Sequence, residues 1–578
     1  MKTFSIELQA VLGVFAAISF SGCGSETPVT PKPTETTCNG VAVSVRTLAP
    51  LERVVLTGAD VTCFALAGDN REYLVVPQLT GAALPYGGYG FRLGDPTALT
   101  ARVDESLDSD PVWLRAVQGR AGAEPATDAQ SRLDATMRER EAAFHADPAR
   151  PYPAPQLRVQ SASAAVDTMR SFSVLSTLAA TPAYTSVGAK LRFGGSRVLL
   201  YVDTLAAAAF SDAELIGIGT LYDQRLAPAV TTNFGDGSDI DGNARVIFVL
   251  TPTVNSMVTA SQCSSSGFVR GFFYNHDLSS SEATSNRGEV FYAYVPDEAG
   301  RFSCAHTKTD VLANLPPTFM HELQHMISFG EHAIERNGTS EEVWLNEGLS
   351  HMAEEIGSLS YESRFPAPSG RSNPASIFPD SASPYINPNL LYSYRYLFSS
   401  ATYSITSCAP GTFCSLAERG GTWLFLRWIA DQQASGGFRR LVETNLTGRA
   451  NLEAATGQST AALLGDFALA VSADSVVGVA RNAAPAALRF SSRNLRRLYK
   501  SLFDAYGIIG GVGRPFPIEP LALPAGTNLT GTMRPGTFLT YRLRLGAGTP
   551  AATLRLLAID GTPFPLTSGA QVAVLRMP

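Results

Sequence analysis

Two histidines four residues apart constrain this chain more than any other feature: His321 and His325 lie in the run His321-Glu322-Leu323-Gln324-His325. Pro316 and Pro317 precede it and Gly330 follows, which predicts a helix over Thr318 to Phe329, begun by the prolines and ended by the glycine. Helical residues four apart stack on one face, so both imidazoles point into one space and can hold one metal ion at two tetrahedral corners. Glu322, one position round, is swung off the ion but stays near a water beside it, where a general base belongs. With 7 histidines in 578 residues, a chance meeting of this pattern on a core helix is the weaker reading.

A catalytic zinc takes three protein ligands and leaves one position open. His332 lies seven residues after His325, but the metzincin pattern needs Gly where Ser328 stands and His where Glu331 stands. Glu347 fits better. Thr339 and Glu342 predict a capping box opening a second helix through Val343, Trp344, Leu345, Leu349, Met352 and Ile356 to Gly357. Among such apolar neighbours the Glu347 carboxylate is costly to bury unless it is paired or on a metal. His351, four residues on, shares its face, and with Asn346 it is a candidate for steadying the ligands. Glu354 and Glu355 read as a solvated last turn.

H-E-L-Q-H followed by W-L-N-E-G-L-S resembles the gluzincin peptidases, the hyicolysin family in particular. Asp239-Ile240-Asp241-Gly242-Asn243 and Gly420-Gly421-Thr422-Trp423-Leu424-Phe425-Leu426 add to the likeness, which covers about Val166 to Ala470. The resemblance implies a zinc endopeptidase acting on a protein or peptide substrate, with His321, His325 and Glu347 on Zn2+ and Glu322 as catalytic base. The aminopeptidase N family shares W-L-N-E-G, but its G-x-M-E-N motif is absent from the sequence. A surface binding or adhesion lipoprotein with a non-catalytic metal site is the alternative of another class.

The oxyanion of peptide hydrolysis needs a further donor, for which Tyr392, Tyr394, Tyr396 and His276 are candidates. The predicted strand Val290 to Val295 is a candidate edge for an extended substrate. Asp236, Asp239, Asp241 and Asn243 resemble part of a Ca2+ loop, yet Leu250 stands where an EF-hand needs its bidentate Glu, so a polar turn is the favoured reading.

A chain of this length exceeds one hydrophobic core. Alternating runs at Val41 to Val45, Arg53 to Leu56, Val61 to Ala67 and Tyr73 to Val76 predict a β-rich module over 38–110. A helical and Pro-rich connector follows over 111–164. The α+β catalytic domain, a mixed sheet with a helical lobe, spans 165–515, and a second β module closes the chain over 516–578. Charge argues against nucleic-acid binding: 45 basic and 51 acidic residues give −6.

Lys2 and the apolar stretch Ala10 to Phe20 read as a signal peptide over 1–22, and Phe20-Ser21-Gly22-Cys23 resembles a lipobox. The expectation is a bacterial envelope protein lipidated at Cys23, touching the membrane only through that anchor and facing periplasm or exterior after a linker over 23–37. Secretion with an ordinary signal peptide is the alternative. The other six cysteines suit an oxidising compartment and sequential pairing, above all Cys408 with Cys414 across a short loop.

Overall fold

The computed structural model describes residues 35–102, 129–145, 167–362, 382–408, 414–474, 484–507 and 513–578, less positions 39, 83, 96, 99, 280 and 434–436. The signal segment, Cys23 and most of the linker lie outside these residues. Among the described residues no helix is long and apolar enough to cross a membrane.

The first segment supplies β1 (Glu35–Cys38), β2 (Val41–Arg46), β3 (Arg53–Thr57), β4 (Phe64–Ala67), β5 (Arg71–Leu79), β6 (Tyr89–Gly94) and β7 (Thr100–Arg102). The middle supplies β8 (Met169–Leu175), β9 (Tyr184–Gly194), β10 (Val198–Asp203), β11 (Val246–Leu250), β12 (Gly271–Phe273) and β13 (Val290–Ala293). The end supplies β14 (Leu521–Ala522), β15 (Asn528–Met533), β16 (Tyr541–Leu545), β17 (Ala551–Ala558) and β18 (Ala570–Arg576). Seven helices matter here: α1 (Ala129–His145), α2 (Lys308–Phe329), α3 (Val343–Glu362), α4 (Ser383–Phe398), α5 (Leu416–Gln432), α6 (Thr460–Ala473) and α7 (Leu495–Tyr506).

The chain's two β-rich ends do not stand as two modules. Their strands interleave in one sheet ordered β1-β2-β4-β17-β6-β15-β7 and another ordered β14-β16-β5-β18-β3. Alternating apolar residues from both ends, among them Leu56, Tyr73, Phe91, Leu529, Leu543 and Val572, fill one core. Each end alone would expose half of that core. The Cys38–Cys63 bridge closes a loop at its rim. Helix α6 ties the sandwich to the rest: Gln78 and Gln571 donate to its Leu464 and Ala461 carbonyls at 3.2 and 2.9 Å, and Arg53 pairs with Asp466 at 2.5 Å.

The central sheet, ordered β12-β13-β11-β10-β9-β8, is mixed: β13, β11 and β10 run parallel, with antiparallel strands outside them. The helical lobe lies beyond it in sequence, so the molecule is of mixed α and β construction. Strand β13 lies inside this sheet, between β12 and β11, so it has no free edge for a substrate; β12 holds that edge. Its short Gly-Phe-Phe run carries too little alternation to register as a strand in sequence.

Three local expectations are corrected. Helix α2 starts at Lys308, behind a Thr307 cap, and carries Pro316 and Pro317 inside it, at the cost of the bonds to the Leu312 and Ala313 carbonyls. It also runs on past Gly330 as a π-turn over Gly330–Glu335. The Thr339–Glu342 capping box does not form: α3 begins at Val343, the Glu342 carbonyl accepts from Asn346 N at 2.9 Å, and its carboxylate takes the Trp344 indole at 2.7 Å. The cysteines pair sequentially, Cys38–Cys63, Cys263–Cys304 and Cys408–Cys414, as their spacing suggests.

Candidate metal centre

Helices α2, α3 and α5 build the centre. Gly348 lets α3 press against α5, because a Cβ there would stand 2.4 Å from Thr422 Cγ2. Gly420 does the same for α5 against α4, where a Cβ would meet the Tyr392 backbone at 2.3 Å. These contacts set Glu347 and Arg419 beneath the two histidines.

His321 Nε2 and His325 Nε2 face each other at 3.1 Å, and each is 3.6 Å from a carboxylate oxygen of Glu347. Glu347 is wholly buried, and its Oε1 finds no hydrogen-bond donor among the described residues. The far side of each ring is already engaged: His321 Nδ1 lies 2.8 Å from Glu354 Oε1, and His325 Nδ1 lies 3.1 Å from Asn346 Oδ1. Both partners accept, so each Nδ1 carries the proton and a neutral ring's Nε2 lone pair points inward. Two imidazole nitrogens and a carboxylate then converge on one point, which calls for a proton or a metal cation between them. Tetrahedral zinc with bonds near 2.0–2.1 Å needs donor atoms about 3.3 Å apart, and the observed separations bracket that. The residues present fit zinc.

Charge in this cluster is strongly coupled. Burial alone would lower the His321 imidazole, but Glu347 and Glu354 outweigh it and hold it well above its ordinary value. His325 is pushed well below, by burial first and the Arg138 charge second. Burial would raise Glu347, yet Arg419 Nη1, 2.8 Å away, together with the histidines, holds it well below the usual carboxylate range. Glu354 sits at about 2, since His351 and His321 overcome its burial. Glu322 goes the other way: burial pushes it up to about 8 against the pull of His321, and the Asp134 carboxylate adds to the rise. Its Oε2 accepts from the backbone N–H of Phe273, on edge strand β12, at 2.9 Å.

Glu354 and Glu355 are not a solvated turn. Glu354 backs His321 and also receives Asn389 Nδ2 of α4 at 3.1 Å, while buried Glu355 accepts from Trp423 Nε1 and Arg493. His351 reaches Glu354, at 3.2 Å, and not Glu347. His332 stands apart from the cluster, buried with Nε2 3.2 Å from the Leu441 carbonyl. Of the oxyanion candidates, Tyr392 lines the cleft beside His321 and Glu322. Tyr394 is tied to the Arg514 backbone, Tyr396 is fully buried, and His276 stacks between Tyr184 and Tyr274. Sequence reasoning missed Glu354 and Arg419; the first lies seven residues, two helical turns, after Glu347, a spacing that places it on the same face.

Elsewhere, Asp239 and Asp241 accept from the Ala244 and Asn243 N–H groups at 3.0 and 3.1 Å, which is the polar turn expected of that segment. Cys304 is disulfide-bonded and lies 3.5 Å from His306, so this pair is not a thiolate site.

No protein-family model matches the chain. Over 169 residues, 29% of the chain, the sequence is 25% identical to the neutral metalloprotease ShpI of Staphylococcus hyicus. The chain spans 36% of that protein's length.

Proposed function

We propose that the chain is an exported zinc endopeptidase of the gluzincin kind, akin to the hyicolysin family, with His321, His325 and Glu347 as metal ligands and Glu322 as general base. The observation that carries this reading is the convergence of the His321 and His325 Nε2 atoms and a buried carboxylate on one point, with both Nδ1 atoms already engaged. Likeness to a metalloprotease over part of the chain supports it. So does the sequence's export signal, from which we also infer a lipid anchor at Cys23.

A bound zinc ion supplies a Lewis acid that acidifies water and polarises the scissile carbonyl. The protein does the rest. Glu322, steadied by the Phe273 N–H, takes the proton of the attacking water and returns it to the leaving amine. Glu354 and Asn346 keep the proton on the far nitrogen of each histidine, so that Nε2 stays free. An extended substrate adds to the outer edge of β12, along the cleft wall that carries Arg270, and Arg419 sets a fixed positive charge against Glu347 in that wall. Asp239, Asp241 and Glu289 also bring carboxylate oxygens together, but Asp239 and Asp241 accept from the N–H groups of their own turn, so Ca2+ has no part in this reading.

Glu322→Gln tests the reading. Zinc content should be unchanged, while turnover of an unfolded protein substrate falls about 10²–10⁴-fold, the usual worth of a positioned acid–base group. Full turnover in that variant would contradict the mechanism.

A further inference from the structure

Helix α1, placed by sequence in a connector between domains, lies in the catalytic cleft. The cleft holds about 450 Å³ and is lined by Gln130, Ser131 and Asp134 of α1 together with His321, Glu322 and Arg419. Two of its contacts meet the groups that a substrate would need. Gln130 uses its amide as a piece of strand: Nε2 donates to the Gly271 carbonyl of edge strand β12 at 2.9 Å, and Oε1 accepts from the N–H of Arg270, just before that strand, at 2.8 Å. Asp134 accepts from Arg419 Nη1 at 2.9 Å, the same nitrogen that lies 2.8 Å from Glu347. A carboxylate of α1 therefore sits on the cleft's fixed cation.

The docked face is unlike that of a core helix. Leu133 and Met137 are buried, but so are Asp134, Arg138 and Glu141. Arg138 pairs with Glu141 at 3.1 Å, yet its Nε and Nη1 find no acceptor among the described residues. Burial also pushes Glu141 up to about 7. Buried charges incompletely matched make docking costly, which suits a helix that leaves and not one that is permanent.

We propose that α1 is a built-in inhibitor: docked, it covers the β12 edge and Arg419, and it must leave before a substrate can enter. This rests on the peptidase reading given above, so its test reads access to the cleft as well as turnover.

The full zinc-loaded chain is compared with Asp134→Lys, which sets a cation against Arg419, and with Gln130→Ala. Binding of a fluorescent peptide hydroxamate, followed by anisotropy, should tighten at least tenfold in Asp134→Lys and less in Gln130→Ala. Cleavage of an unfolded protein should rise in the same order, and a synthetic peptide of residues 129–145 added in trans should reverse both. In the wild-type chain, which needs no variant to fold, saturating hydroxamate should speed hydrogen exchange of the 129–145 amides. Unchanged or weaker hydroxamate binding in a folded Asp134→Lys, or exchange in α1 indifferent to the hydroxamate, overturns the inhibitor. Tighter binding with no cleavage by any form keeps α1 as a plug and removes the peptidase reading instead.

Discussion

The β-sandwich and the metal centre are buried alike but built on opposite rules. The sandwich hides apolar side chains from both ends of the chain and closes its rim with a disulfide, so its stability is hydrophobic and local charges matter little. The centre buries His321, Glu322, His325, Glu347, Glu354 and Arg419, most of them in direct contact with another of the set. Such a cluster is a poor source of stability. It is tolerated because the surrounding apolar core is large and because the donors are arranged for a cation. The sandwich is held by its own apolar core, whereas the charged cluster depends on the apolar core packed around it.

The two can be broken separately. Replacing Cys38 and Cys63 by serine should cost about 2–4 kcal/mol in urea unfolding of the sandwich and leave zinc content as it was. A parallel loss of zinc would mean that the regions are not independent. Glu354→Ala should do the reverse, weakening zinc binding about 10–100-fold by competition with a chelator, since it removes the group that orients His321. Asn346→Ala should weaken it less, because an amide holds its histidine without a charge.

The smallest effect concerns pH. Burial pushes Glu289 up to about 7, and its Oε2 has no partner among the described residues. A folded pKa above the unfolded one gives stability that is full below about 4.3 and is lost as pH rises through 7. Glu289→Gln should therefore match the wild type at pH 4 and exceed it by about 1–2 kcal/mol at pH 8. Destabilisation at pH 8 that depends on added divalent cations would instead mark the Asp239, Asp241 and Glu289 carboxylates as a cation site.

The histidines and Glu322 were legible because helical spacing is local, and Glu347 because an acid among Trp344, Leu345 and Leu349 needs a reason. Glu354 was not: its burial comes from α4, whose interior Pro388 disguises it as a helix. Asp134 hid in apparent linker text, since nothing local shows that α1 docks on residues far along the chain. The sandwich was read as two modules for the same reason. Pairings such as Val572 with Leu56 join strands at opposite ends of the sequence, and alternation tells which face is apolar but not what covers it.

Zinc per chain, measured by elemental mass spectrometry on the purified protein beside Glu347→Gln, tests the central claim most directly. The account predicts one zinc per wild-type chain and a large loss in Glu347→Gln with folding retained. A folded wild-type chain that takes up no zinc when it is supplied, or a Glu347→Gln variant that holds it as tightly, would contradict it.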